Sequence, residues 1–273
     1  MVATGHNGRR LIIHMGVQKT ASTAFHHFVQ KNRDALPARL EILTPEKKTA
    51  TRALGRAAAE FSLDASKEAE FIATIKEVRD VISAGEGTCV LSHENLPGAM
   101  PGRQGVTELY PNLPQILSLL DRHLAPFQPE YVFYTREMTA WKRSVYNQAV
   151  KSDACAWTLD EFIEETEHCG SWEEMRSVVT NQLGEERVRF FQLEDEAEEN
   201  RPGTQLLRMA GLSDDEIAAL VPLHRRPNQS LNAGALEFMR LLNVAELPPR
   251  ARKPVVDLVM RNQPLFVRQR EGA

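Results

Sequence analysis

The chain is poor in cysteine and has no excess of basic charge. Its 273 residues include three cysteines, Cys89, Cys155 and Cys169. An odd, widely spaced set fits neither a disulfide framework nor a zinc site, so we expect reduced thiols. Lys and Arg total 33 against 37 Asp and Glu, which gives a formal net charge of −4. Nucleic-acid binding needs a basic face to replace phosphate counterions, so we expect no nucleic-acid partner.

Long apolar runs are also missing. No run approaches the roughly 18 residues that a membrane-spanning helix requires, and residues 1–10 lack the apolar core of a secretory signal. We therefore expect no integral membrane segment and a cytoplasmic location. No cluster of Asp and His suggests a bound metal, so none is expected.

Short apolar runs alternate with segments of helical periodicity. Strands are predicted at about 11–15, 40–44, 88–91, 131–134 and 188–191. Helices are predicted at about 22–35, 51–61, 65–84, 113–124, 139–152, 158–168, 171–183, 203–210, 213–220, 233–243 and 250–261. Such alternation predicts an α/β fold, with a parallel sheet that helices cover on both faces. We expect a flexible tail at 1–9 and a single domain at 10–273, because no linker separates two domains.

The first predicted strand leads directly into a loop and then a helix, which Ser22 or Thr23 could cap. Backbone N–H groups and the helix dipole favour an anion in this layout. Lys19 adds a mobile positive charge, and neighbouring hydroxyls add donors. The residues predicted to hold the anion are Gln18, Lys19, Thr20, Ala21, Ser22 and Thr23. The alternative interpretation is a capped helix with a solvated lysine.

This loop is not a Walker A loop. That pattern requires Gly directly before the Lys and again five residues earlier, and the chain has Gln18 and Ile13 there. An enzyme driven by ATP or GTP is therefore disfavoured.

A second candidate anion site follows the predicted strand at 131–134. Arg136 stands at a strand end, where open α/β sheets bind ligands, and Ser144 lies on the next helix. The guanidinium of Arg grips phosphate in a bidentate way, so both side chains could clamp one phosphate. Alternatively, Arg136 pairs with Glu137 or Asp153 at the surface.

These two segments resemble those of one family. Residues 19–23 read Lys-Thr-Ala-Ser-Thr and resemble the 5′-phosphosulfate-binding loop of sulfotransferases. Arg136 with Ser144 and Tyr146 resembles the family's 3′-phosphate motif. Residues 91–96 resemble the strand end that carries its catalytic region, and residues 226–231 resemble a late loop of its bacterial members.

The resemblance implies a P-loop-like, three-layer fold and a co-substrate, 3′-phosphoadenosine 5′-phosphosulfate, whose product is adenosine 3′,5′-bisphosphate. It adds Asn228 and Ser230 as candidate donor contacts. The implied activity is sulfuryl transfer to a hydroxyl or amine of a small-molecule, lipid or carbohydrate acceptor. Ala21 departs from the family, which often has Gly there, and it is costly if its φ is positive.

The resemblance also implies catalytic roles. Lys19 would stabilise the leaving phosphate, and Glu94 is our first choice as the base that takes the acceptor's proton. His93 is the second choice, since it points to the opposite face while the chain stays extended. Two alternatives to a sulfotransferase remain, namely a P-loop-type kinase and a non-catalytic nucleotide-binding module.

Overall fold

A computed structural model describes residues 8–224 and 230–267 of the chain. These residues form five strands and eleven α-helices. The strands are β1 (Arg10–Met15), β2 (Leu40–Leu43), β3 (Thr88–His93), β4 (Glu130–Thr135) and β5 (Val188–Gln192). The first helices are α1 (Ser22–Lys31), α2 (Ala50–Phe61), α3 (Glu68–Ser83), α4 (Leu113–Leu124), α5 (Met138–Ser152) and α6 (Leu159–Glu165). The later ones are α7 (Trp172–Leu183), α8 (Thr204–Met209), α9 (Asp214–Ala219), α10 (Ala233–Val244) and α11 (Pro249–Arg261).

The strands form one sheet in the order β2-β3-β1-β4-β5, and every pairing is parallel. Met15 at the end of β1 is level with His93 of β3 and with Phe133 of β4. The predicted α/β fold with a central parallel sheet flanked by helices is confirmed. All five predicted strands are present, and β3 runs two residues beyond its predicted end.

Side chains from one face of the sheet pack against α1, α8 and α9. Ile12, Val90 and Val132 lie in one buried cluster with Phe28 of α1 and Leu207 of α8. The intervening strand residues point to the other face because side chains alternate along a strand.

Helices also cover that second face. The rings of Phe133 and Phe190 stack at 4.9 Å between centroids. The guanidinium of Arg176, on α7, lies 4.6 Å from the centre of the Phe190 ring. On β3, the ring of His93 packs against Gly55 of α2, where a Cβ would overlap the imidazole.

The described chain folds into two compact units. The first contains residues 8–99, 110–137 and 171–224, and so includes the whole sheet. The second contains residues 100–109, 138–170 and 230–267, with helices α5, α6, α10 and α11. That residues 10–273 form one domain stays a prediction.

The first helix is shorter than predicted. It ends at Lys31 rather than at about Ala35, and residues 33–35 form a single 3₁₀ turn. The amide of Asn32 donates to the Phe28 carbonyl at 2.9 Å and accepts the Val221 N–H at 2.7 Å. This side chain satisfies a carbonyl at the helix end.

All three cysteines are buried free thiols. Among the described helices, none is both long and apolar enough to cross a membrane.

Gly55→Ala should destabilise the fold, although Ala is normally the better helix former. The new methyl group would overlap the His93 imidazole, and overpacking of this kind costs about 1–3 kcal/mol. Urea unfolding measures the change. In a His93→Ala background the same substitution should be neutral or stabilising, and an equal loss in both backgrounds would contradict the contact.

Candidate functional site

Three segments with predicted functions meet at the carboxyl edge of three adjacent strands. Glu94 directly follows β3, the loop of residues 16–21 follows β1, and Arg136 directly follows β4. Since β1 lies between β3 and β4, the three segments emerge side by side. After β1 the chain crosses toward β2, which is the outermost strand at one end of the sheet. After β4 it crosses in the opposite direction, toward β5 at the other end. Such a reversal is where open parallel sheets bind ligands.

The loop after β1 turns on two left-handed residues. Lys19 has φ 70° and Ala21 has φ 67°. The Thr20 hydroxyl donates to the Val17 carbonyl at 2.5 Å, which tightens the turn. The expectation that Ser22 or Thr23 caps α1 is wrong: the capping residue is Ala21, which has no side-chain oxygen, and the helix begins at Ser22.

The start of α1 therefore has no side-chain cap and no acidic residue in its first turn. Helix α8 offers a comparison, because its capping residue, Gly203, is also left-handed. There, the carboxylate of Glu196 accepts the N–H groups of Thr204 at 2.9 Å and Gln205 at 3.3 Å. A carboxylate thus occupies the start of α8, whereas no described side chain does so at α1.

Ser22 adds an unsatisfied hydroxyl to this helix start. Its Oγ is buried and has no hydrogen-bond partner among the described residues. It lies so close to Gly16 that a Cβ there would overlap it. A buried hydroxyl without a partner is costly, and an anion oxygen seated at the loop would supply one.

The side chain of Gln18 ties the loop to the segment that follows β3. Its amide donates to the Gly98 carbonyl at 2.9 Å and lies 3.4 Å from Asn95 Oδ1. Its carbonyl oxygen accepts the Tyr110 hydroxyl at 2.5 Å. The side chain predicted to contact a cofactor is thus engaged inside the protein, where it positions the loop.

Arg136 is partly exposed and faces an acidic residue other than the two suggested by the sequence. Its Nε lies 4.0 Å from Glu194 Oε1, and its carbonyl accepts the Trp172 indole N–H at 2.7 Å. Asp153 instead lies 3.7 Å from Arg103. A pair this long and partly solvated contributes little, so an anionic ligand could compete for Arg136.

Two further candidate residues, Ser144 and Ser230, belong to the second unit. Asn228 lies outside the described residues. Ser144 is on α5, and Asn147 lies one turn further along the same helix face. The amide of Asn147 donates to the Leu231 carbonyl at 3.1 Å and accepts the Leu231 N–H at 3.2 Å. Ser230 precedes Leu231, so this pair fixes Ser230 next to the helix that carries Ser144. The joint use of Arg136 and Ser144 stays a prediction.

Behind the carboxyl edge lies a group of polar side chains that the sequence did not single out. Ser92 is 0% exposed, and its Oγ lies 2.8 Å from His14 Nδ1 and 2.8 Å from His26 Nε2. His26 Nδ1 in turn lies 3.6 Å from Glu94 Oε2. We refer to His14, Ser92 and His26 as the buried chain, and it ends at the candidate base.

Burial holds the imidazoles in this region neutral. Desolvation, with a contribution from His26, lowers the pKa of His14 to about 3. Desolvation lowers the pKa of His26 to about 4, although Glu94 opposes the shift. Desolvation, helped by Arg52, likewise lowers the pKa of His93 to about 4. The contact between His26 and Glu94 is thus one of a neutral ring with a carboxyl group, not an ion pair.

Ser92, His26 and Glu94 have the connectivity of a nucleophilic triad. However, Ser92 is fully buried, and two imidazoles hold its hydroxyl. It has no access to a substrate carbonyl, so we do not assign it as a nucleophile. In the described part of the chain, no group of three or more His, Cys, Asp or Glu is arranged to hold a metal ion.

Comparison of the chain with known protein families, and with curated protein sequences, finds no match.

Ala21→Gly should stabilise the protein by about 1 kcal/mol, because glycine adopts a positive φ without the Cβ penalty. Ala24→Gly, in the first turns of α1, is the matched control and should lose about 1 kcal/mol. Chemical denaturation of both variants gives the two values. A loss of equal size in both would show that Ala21 is not left-handed.

Acid should begin to destabilise the fold as pH falls below about 6.5, the ordinary pKa of histidine. The folded pKa values of His14, His26 and His93 are about 3, 4 and 4, against 6.5 for ordinary histidine. The unfolded chain therefore binds more protons than the folded chain between about pH 4 and 6.5, and stability falls as pH falls through that window.

Urea unfolding at several pH values gives the slope of the unfolding free energy against pH. Near pH 5 this slope should correspond to almost three protons bound on unfolding. His93→Gln should reduce the slope by about one proton. A free energy of unfolding that does not change between pH 7 and 5 would contradict the buried, neutral state.

Proposed function

We propose that this protein is a sulfotransferase that uses 3′-phosphoadenosine 5′-phosphosulfate and has a P-loop-like fold. The observation that carries the proposal is the uncapped start of α1, set behind a loop that bears Lys19. The resemblance of residues 19–23 to the family's phosphosulfate loop supports it. A cytoplasmic location and a small-molecule, lipid or carbohydrate acceptor belong to the same proposal.

The loop has the features of an oxyanion site. Successive N–H groups across a left-handed and then a right-handed residue form an anion-binding concavity, and Ala21 followed by Ser22 has this conformation. Helix α8 shows that a helix start of this kind binds a carboxylate in the same chain. Lys19, Thr20, Ser22 and Thr23 would supply the further donors, as the family resemblance implies.

The proposed nucleotide differs from a simple phosphate because it carries a second anionic group, the 3′ phosphate. Arg136 follows β4, the neighbour of β1 on the side away from Glu94, and holds its nearest described carboxylate only loosely. A nucleotide with phosphate groups on both its 5′ and 3′ positions would place one on each segment. The family resemblance alone implies Ser144, Ser230 and Asn228 as further residues of the donor site.

The proposed reaction moves a sulfuryl group in line between two oxygens. The acceptor oxygen forms a bond to sulfur while the bond from sulfur to the 5′-phosphate oxygen breaks, and the electron pair leaves with adenosine 3′,5′-bisphosphate. The acceptor's proton goes to Glu94 as general base. Lys19 and the loop N–H groups stabilise the charge that grows on the leaving oxygen.

The kinase alternative is less well supported. The two glycines of a Walker loop are replaced by Ile13 and Gln18. Both side chains are buried, and that of Gln18 is hydrogen-bonded to the segment after β3. A non-catalytic module would retain the anion site but would have no need for Glu94 at its edge.

Isothermal titration calorimetry with adenosine 3′,5′-bisphosphate tests the proposal. Lys19→Ala and Arg136→Ala should each weaken binding about tenfold or more, since each removes a charge-assisted contact. Arg39→Ala is the matched control. It removes the same charge at the amino end of the sheet, where the Arg39 carbonyl accepts the first N–H of β3, and it should leave affinity unchanged.

Adenosine 5′-monophosphate separates the two subsites. Lys19→Ala should weaken its binding, whereas Arg136→Ala should not, because the 3′ phosphate is missing. Absence of bisphosphate binding to the unmodified protein would sink the proposal, and tighter binding of magnesium ATP than of the bisphosphate would favour the kinase.

A further inference from the structure

We infer that His26 is the positioning residue for Glu94. The buried chain of His14, Ser92 and His26 places the proton of His26 on Nδ1, so that this N–H can donate to Oε2 of Glu94. The hydrogen-bond chain follows from the geometry of these buried, neutral side chains and does not depend on the proposed function. Its catalytic consequence rests on the proposed function, in which Glu94 takes the acceptor's proton.

The Ser92 hydroxyl has a single hydrogen and two imidazole neighbours. Its Oγ lies 2.8 Å from a ring nitrogen of His14 and 2.8 Å from one of His26. A hydroxyl has one donor and two acceptor sites, and neutral imidazole carries one N–H. Ser92 can therefore donate to only one ring, and the other ring must donate to it.

The surroundings choose between the two directions. If Ser92 donated to His14, then His26 would carry its proton on Nε2 and present a lone pair to Glu94. Two lone pairs would then face each other at 3.6 Å, and His14 would bury an N–H without a partner among the described residues. Buried orphan N–H groups are the rarer and costlier kind.

In the other direction every N–H and O–H faces an acceptor. His14 Nδ1–H donates to Ser92, Ser92 donates to His26 Nε2, and His26 Nδ1–H faces Glu94 Oε2. Of the polar atoms of these three side chains and Glu94, the buried ones left without a hydrogen-bond partner are then His14 Nε2, which presents only a lone pair, and Glu94 Oε2, which His26 Nδ1–H faces at 3.6 Å. Because burial keeps both rings neutral, neither ring carries a second N–H that could donate in the reverse direction.

His93 cannot take the role of His26. Its Nδ1 also lies near Glu94 Oε2, at 3.7 Å, but it accepts the N–H of Asn95 at 3.0 Å. A nitrogen that accepts carries no proton and cannot donate to a carboxylate. The other edge of the His93 ring packs against Gly55, which also leaves His93 poorly placed as a base.

The two carboxylate oxygens of Glu94 would then have different roles. Oε2 is buried without a hydrogen-bond partner among the described residues, while the side chain as a whole is 30% exposed. His26 would hold Oε2, and Oε1 would take the acceptor's proton. The separation of 3.6 Å is longer than a hydrogen bond, and such contacts commonly close when substrate binds.

The tautomers predicted by this chain can be read by nitrogen-15 NMR of the imidazole rings in the full-length protein at pH 7. We expect the proton on Nδ1 in His14 and His26, and on Nε2 in His93. An Nε2 proton on His26 would overturn the inference. This measurement needs no ligand, so its outcome does not depend on whether the proposed function is right.

Two variants separate positioning from packing. His26→Asn places an amide N–H near the position of Nδ1, whereas His26→Gln places one near Nε2 and leaves Glu94 without a donor. With the bisphosphate bound, the carbon-13 shift of the Glu94 carboxylate should stay near its native value in the Asn variant and move in the Gln variant. Equal shifts in both would overturn the positioning role.

The same pair can be followed by turnover, as release of adenosine 3′,5′-bisphosphate from the donor with water as acceptor. We expect the Gln variant to lose at least tenfold in rate while its bisphosphate affinity is unchanged, and the Asn variant to recover most of the loss. Similar rates in the two variants would count against the inference. A wild type that shows the predicted tautomers but binds no bisphosphate would refute the proposed function and leave the hydrogen-bond chain standing.

Discussion

The pairing of β1 with both β3 and β4 is the constraint on which the candidate site depends. Because the three strands are parallel, with β1 and β3 ending at the same level and β4 two residues beyond it, the segments that follow them reach the same edge of the sheet. The helix after β1 begins at that edge and points its free N–H groups outward. A one-residue change in the register between β1 and β3 would place His14 and Ser92 on opposite faces of the sheet.

The sheet was predictable because its strands are apolar runs bounded by turn residues. The anion loop was predictable as a strand, loop and helix with a lysine. Its conformation was not, since local preference opposes a left-handed alanine and only the surrounding structure imposes it. The same preference led to the wrong expectation that Ser22 or Thr23 would cap α1, because both are good capping residues and Ala21 is not.

Other parts of the site depend on contacts between distant segments. His14 and Ser92 meet through strand register, and His26 joins them only because α1 lies over that face of the sheet. No spacing within the sequence signals this arrangement. Likewise, the partner of Arg136 is Glu194 because β5 lies beside β4, whereas the sequence could suggest only acidic residues nearer along the chain.

The hydrogen bonds of Gln18 have a consequence for the order in which ligands bind. They join the anion loop to Tyr110 and Gly98, so neither segment can shift without a change in the energy of the other. An acceptor that contacts the segment after β3 would then alter the affinity for the donor, and by thermodynamic necessity the donor would alter the affinity for the acceptor to the same extent. One buried glutamine side chain thus makes the two halves of the proposed reaction a linked equilibrium.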